Sequence, residues 1–164
     1  MASKVLVLYY SRTGNTRRMA EFVADGAKAA GGNVTLKEVE NANAEELLDY
    51  EAIILGSPVY YGSMAAEMKN LLDESVEFHG KLDGKVGAAF ASSANIGGGN
   101  ETTILDMLNA MLIHGMVIQG NPAGDHYGPV SIGAPDERVK KQCRELGRRT
   151  VQLANRLAAG AGRG

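Results

Sequence analysis

Val5-Leu6-Val7-Leu8-Tyr9-Tyr10, followed by Ser11-Arg12-Thr13-Gly14-Asn15-Thr16, is the stretch that decides the fold. An apolar run with no polar alternation marks a parallel strand covered on both faces. The next residues are small and polar, and a helical pattern then begins at once. Met19, Phe22, Val23, Ala27 and Ala30 recur at three-and-four spacing. Gly31-Gly32 is the stop expected at a helix C-terminus. Strand, polar turn and amphipathic helix make one β-α unit.

The unit recurs along the chain. Val34, Leu36 and Val39 suggest a second strand, and Asn43-Ala44-Glu45-Glu46 reads as a capping box opening a helical turn or two. Ala52-Ile53-Ile54-Leu55 is a third buried strand, ending in Gly56-Ser57-Pro58. Ser63 is placed to cap a helix carrying Met64, Met68, Leu71, Leu72 and Val76. Lys85 to Ala91 is a fourth strand, and Ser92 to Asn100 a loop. A helix follows with Ile104, Leu105, Leu108, Met111 and Leu112 inward, and Gly115 breaks it before a fifth strand, Met116-Val117-Ile118. A Gly- and Pro-rich loop leads to Pro135, suited to the first turn of a last helix whose face is Val139, Cys143, Leu146, Thr150, Leu153 and Leu157. Five β-α repeats predict a parallel sheet with helices on both faces, an α/β fold. No linker or repeat divides the chain, so a single domain over 1–159 with a fraying tail at 160–164 is expected.

Composition narrows the function. The 164 residues hold 17 Lys and Arg against 19 Asp and Glu, a net charge of −2, which disfavours a general nucleic-acid binder. One Cys forms no internal disulfide, and no Cys/His cluster suggests a metal. No signal peptide or membrane span is evident, so a cytoplasmic protein is expected. The 21 glycines are about twice the usual share. Gly14, Gly56, Gly62 and Gly97 to Gly99 fall in loops after strands. Right-handed crossovers bring those loops to one rim, where open sheets bind ligands.

Three loops on that rim carry the chemistry. Ser11, Arg12, Thr13, Gly14, Asn15 and Thr16 offer backbone N–H groups, hydroxyls and a helix N-terminus to a phosphate. The P-loop Lys and the dinucleotide glycine fingerprint are both missing. Pro58, Val59, Tyr60, Tyr61 and Gly62 set two aromatic faces beside pliant backbone. Ser92, Ser93, Ala94, Asn95, Ile96 and Gly97 form an uncharged loop that lets a ligand come close. One phosphate and one flat ring describe a mononucleotide-like flavin better than a dinucleotide.

Ser11 to Thr16 after the first strand resembles the phosphate loop of flavodoxins. Gly56 to Met64, Ser92-Ser93 with Gly97-Gly98-Gly99, and His114-Gly115-Met116-Val117-Ile118 resemble the WrbA-type NAD(P)H:quinone oxidoreductases over nearly the whole chain. The resemblance implies a flavodoxin-like three-layer sandwich with a five-stranded parallel sheet of order 2-1-3-4-5. It also implies non-covalent FMN, with its phosphate on Ser11 to Thr16 and its ring between Pro58 to Gly62 and Ser92 to Gly97. NAD(P)H would be the electron donor and a quinone-like molecule or a redox partner protein the acceptor, with the chain a dimer or tetramer. The chemistry would be carried by FMN, with no catalytic side chain required. The family's aromatic insertions and frequent Trp are missing here, and Ile113 stands where relatives often have a His.

Other readings weigh less. A flavodoxin-type one-electron carrier is the main alternative; such carriers surround the flavin with acids, and the second and third loops have none. A receiver domain needs acids where this chain has Tyr10-Ser11 and Gly56-Ser57. Cys143 and Arg149 match a phosphatase spacing, but Cys143 falls mid-helix on the apolar face, where core packing explains it. Asn100-Glu101-Thr102 matches a glycosylation acceptor without a secretory signal. Tyr127 is a candidate for the ring pocket, and His114 reads as structural rather than a flavin contact.

Overall fold

The structure is a computed structural model that describes residues 2–161. Strand β1 (Lys4–Tyr9) leads through the first loop to α1 (Asn15–Ala29), then β2 (Asn33–Glu38), two 3-10 turns (Val39–Asn41 and Ala44–Asp49) and β3 (Ala52–Pro58). The helix α2 (Ala66–Glu74), a 3-10 turn (Ser75–Phe78), β4 (Val86–Ser93), α3 (Asn100–Ile113), β5 (Val117–Ile118), β6 (Val130–Ile132) and α4 (Glu137–Ala161) complete the chain. The sheet order is β2-β1-β3-β4-β5, with every pairing parallel, as expected.

Alternation within β1 builds the layers. Val5, Val7 and Tyr9 point to one face, where they pack with Ile54, Phe90 and the inner sides of α1 and α4. Leu6 and Leu8 point to the other, with Ile53 and Leu55 of β3, against Met68, Met107 and Leu108 of the α2–α3 layer. Both faces are buried, so both must be apolar, and the alternation vanishes from the sequence. Each such side chain taken from water contributes about 1.5–3 kcal/mol.

The sheet carries one strand more than expected. β6 pairs with β4 through Ala91↔Val130, Ser92↔Ser131 and Ser93↔Ile132, while β5 pairs through Val86↔Val117 and Gly87↔Ile118. Because β3 already occupies the other side of β4, β5 and β6 are two pieces of one edge strand, parted by residues 119–129. Pro129 O accepts from Ala91 N, and a Cβ on Gly128 would overlap the Ala89 carbonyl, so the returning chain lies hard against β4.

Several local expectations need correction. β3 and β4 run on to Pro58 and Ser93, so Ser92 and Ser93 belong to a strand end rather than to the loop. Val39 lies in a 3-10 turn, not in β2. Ser63 does not cap α2; the cap position is Ala65, whose N–H donates to Ser57 Oγ at 2.9 Å. Pro135 precedes the last helix, and Asp136 caps it by accepting from Val139 N. Val76, which falls in the 3-10 turn after α2, and Leu105, Leu112 and Leu157 are exposed, because a helix on the sheet buries only the rows that face it. The helix α4 continues through Gly160 to Ala161, where a fraying tail was expected; 162–164 lie outside the described residues.

Others hold. Asn43 Oδ1 accepts from Glu46 N at 3.1 Å, as a capping residue should. Gly31 N donates to Lys28 O and Gly32 N to Ala27 O, the paired bonds of a glycine-terminated helix. Cys143 is fully buried, and burial pushes its thiol far up from the ordinary range.

Candidate functional site

The three loops meet at the carboxyl ends of β1, β3 and β4. Gly14 supplies the bend into α1, at φ 99 in left-handed conformation and with open space where a side chain would stand. The N–H groups of Gly14 and Arg17 both donate to Ser11 Oγ, each at 3.2 Å. First-turn amides thus already converge on an oxygen, the arrangement that a phosphate oxygen needs. Arg12, Thr13 and Gly14 are exposed and Asn15 half-buried. Thr16 differs: it is buried, and its Oγ1 stands 2.9 Å from Ser92 Oγ.

The second loop is bound to the end of β4. Val59 N donates to Ser92 O at 2.8 Å. Tyr60 and Ser63 form an isolated bridge, with Tyr60 N donating to Ser63 O at 2.9 Å and Ser63 N to Tyr60 O at 3.2 Å. Tyr61 and Gly62 fill the turn between them, at φ 49 and 80. The rings of Tyr60 and Tyr10 meet edge to face at 6.2 Å. Pro58, Val59 and Gly62 are half-buried; Tyr61 is fully exposed.

In the third loop, Ser93 Oγ donates to Asn95 O at 2.9 Å, and Ala94 to Gly97 stand free in solvent with Ile96 91% exposed. Behind it, Asn100 Oδ1 and Thr103 Oγ1 are buried in the first turn of α3 with no hydrogen-bond partner. Flanking backbone, exposed aromatic faces, converging amides and under-satisfied polar atoms fit a ligand with a flat ring and a phosphate. The small hollow between β4, residues 119–129 and α4, lined by Gln119, Gln142 and Arg149, lies apart from these loops. Tyr127 borders that hollow and is exposed.

Residues outside the three loops complete the rim, and loop composition alone misses them. Burial raises the Tyr10 hydroxyl, helped by the nearby carboxylates of Glu67 and Glu40. Glu67 stands in the first turn of α2, so acids do flank the site although the second and third loops contain none. Asp106 of α3 accepts from Ser63 Oγ at 2.7 Å. The helical spacing of Thr102 and Asp106 was the available signal, without meaning until the helix phase is known.

His114 lies elsewhere, at the C-cap of α3. Ser75 Oγ donates to Leu72 O at 2.6 Å, so its 2.7 Å contact with His114 Nε2 is one in which the ring N–H donates. The neutral ring then leaves Nδ1 a bare acceptor, and that atom is buried without a partner. Burial, and then the neighbouring His79, hold its pKa below the ordinary histidine value. Its bond to Ser75 supports the structural role expected of it.

Comparison with known proteins bears on the family and the fold. The family pattern described as a flavodoxin domain matches residues 6–111. A protein of Archaeoglobus fulgidus named NAD(P)H dehydrogenase (quinone) is 36% identical over 189 aligned residues, covering 94% of this chain and 99% of the relative. One of the same name from Sinorhizobium fredii is 44% identical over 197, covering 95% and 99%. Both spans exceed 164 residues, so these relatives carry insertions that this chain lacks. A protein of Aquifex aeolicus named flavodoxin is 40% identical over 158, covering 91% and 85%. Among solved structures, a WrbA-like flavodoxin from Agrobacterium tumefaciens superposes with a TM-score of 0.80 at 27% identity, covering 94% of this chain and 99% of the other. With its sheet order, its three rim loops and relatives matched nearly end to end, the chain belongs to the flavodoxin family.

Proposed function

We propose that this protein is an FMN-dependent oxidoreductase that moves electrons from NAD(P)H to a quinone or a similar acceptor. The observation that carries the proposal is the likeness, over 99% of their length, to two relatives named NAD(P)H dehydrogenase (quinone). Bound non-covalently, FMN would supply the electron-carrying chemistry, and the protein position and electrostatics. Ser11 to Asn15 would hold the phosphate, with the α1 N-terminus adding its positive dipole end and Arg12 a full charge. Thr16 would act one layer behind, tying that loop to Ser92. Pro58 to Gly62 and Ser92 to Gly97 would flank the ring. The exposed faces of Tyr60 and Tyr61 would guide donor and acceptor to it. No protein acid or base is required.

A cytoplasmic homo-oligomer, dimer or tetramer, is part of the proposal. Exposed Val76, Leu112 and Ile113 support association. Among the described residues no helix is long and apolar enough to cross a membrane. The net charge of −2 supports no nucleic-acid role.

Glu67 and Glu40 beside Tyr10 favour the second reading, a one-electron carrier, because anionic neighbours disfavour added charge on a flavin. One experiment separates the two. The purified protein is titrated with FMN and then assayed for NADH and NADPH oxidation with benzoquinone. Binding with turnover is expected; binding without turnover, and reduction in two separate one-electron steps, would establish the carrier instead.

A further inference from the structure

The Tyr60–Ser63 turn is strained, and from within it is closed only by the two backbone hydrogen bonds between Tyr60 and Ser63. Positive φ at both central residues is the mirror-image turn geometry that favours Gly, Asn or Asp. Tyr61 meets that demand badly. Its ring is fully exposed, and open space surrounds the position a Cβ would take at Gly62, so no side-chain packing fixes either residue. Something outside the turn must over-determine it.

Two side chains of α3 do so. Thr102 Oγ1 donates to Gly62 O at 2.8 Å, sharing its proton with Gly99 O at 2.9 Å. Ser63 Oγ donates to Asp106 Oδ2 at 2.7 Å. Thr102 and Asp106 are four residues apart, so they stand on one face of the helix, one turn above the other. Gly99 completes the abutment, since a Cβ there would come within 2.9 Å of Gly62 Cα. The helix begins at Asn100, immediately after the third loop, so the face that holds the second loop starts beside the third.

We infer that Thr102 and Asp106 are positioning residues, a strut on α3 that holds the Tyr60–Ser63 turn at the width and orientation that receive the flavin ring. The inference rests on the FMN reading and deepens it: the strut touches neither ring nor phosphate, and acts through the Gly62 carbonyl and the Ser63 hydroxyl. Turning the Gly62 carbonyl toward α3 points its lone pairs away from the opposite side of the turn. Thr102 is exposed and Asp106 half-buried, so removing either leaves no fully buried polar group behind.

The test compares Thr102→Ala and Asp106→Ala with the hydroxyl- and oxygen-retaining Thr102→Ser and Asp106→Asn. FMN dissociation constants are measured by flavin fluorescence. Melting temperatures and amide hydrogen exchange of the 58–65 segment are measured on the FMN-free protein. Each Ala variant is expected to weaken FMN about tenfold, the worth of one to two lost hydrogen bonds. Exchange in 58–65 should quicken while the melting temperature stays nearly constant. Thr102→Ser and Asp106→Asn should restore affinity to within about threefold. Unchanged FMN affinity in the Thr102→Ala/Asp106→Ala double variant overturns the inference, as does an equal loss in Thr102→Ser and Thr102→Ala. Failure of the unsubstituted protein to bind FMN overturns the functional reading instead. Unchanged exchange in 58–65 would then dispose of the strut as well.

Discussion

Thr16 Oγ1 and Ser92 Oγ stand 2.9 Å apart, both buried, joining the first turn of α1 to the carboxyl end of β4. The bond spans 76 residues of chain and ties the proposed phosphate loop to the proposed ring loop. Thr16→Ala leaves the Ser92 hydroxyl buried beside a methyl group, and we expect it to cost about 1–2 kcal/mol. The Thr16→Ala/Ser92→Ala double variant should cost less than the two singles added. Urea denaturation of all four proteins measures the coupling, and strict additivity would refute it.

Glycines at the α1–α4 crossing give a second prediction. A Cβ on Gly26 would overlap the Arg144 carbonyl, and one on Gly147 the Val23 carbonyl. Backbone cannot yield as a flexible side chain does, so Gly26→Ala and Gly147→Ala should each destabilise by about 1–3 kcal/mol. Gly160, in open space on the same helix, is the control. Gly160→Ala should shift stability by less than about 1 kcal/mol, upward. Chemical denaturation ranks the three, and a tolerated Gly147→Ala would show the helices to be further apart.

Tyr61 combines positive φ with complete exposure. Tyr61→Asn should raise stability by about 0.5–1 kcal/mol, because Asn tolerates left-handed backbone and no packing is lost. Quinone reduction should fall in the same variant, since an aromatic face is removed. Thermal denaturation and turnover, measured together, would show a trade of activity for stability.

His114 makes stability depend on pH. Its folded pKa lies below its unfolded value, so the unfolded chain binds more protons between the two. Stability is therefore complete above about pH 6.5 and declines as the pH falls toward the folded value. His114→Gln should flatten that decline. Melting curves from about pH 7.5 to about pH 5.5 would test it, and an equal slope in both proteins would exclude His114 as the source.

How much could be read beforehand follows from what each element depends on. β1 was legible because burial on both faces makes its composition uniform, and the Asn43 cap because donor and acceptor are three residues apart. β6 was not: Val130-Ser131-Ile132 is three residues between Pro129 and Gly133, and only pairing with β4 makes it a strand. The rim loops stood out by their glycines and hydroxyls. Thr102 and Asp106 did not, because their partners lie 40 and 43 residues away and only the phase of α3 brings them together. Ser92 has the composition of a loop residue, although its backbone continues β4 and its hydroxyl is spent on Thr16.

The divided edge strand also bears on how the molecule keeps to itself. An unbroken outer strand would offer a long row of free amides and carbonyls for another chain to extend. Here that margin is cut into lengths of two and three residues. Between them the backbone swings away and returns with Pro129, whose nitrogen has no hydrogen to offer. A strand approaching from solution finds no continuous template, so this side of the sheet resists the strand addition that leads to aggregates.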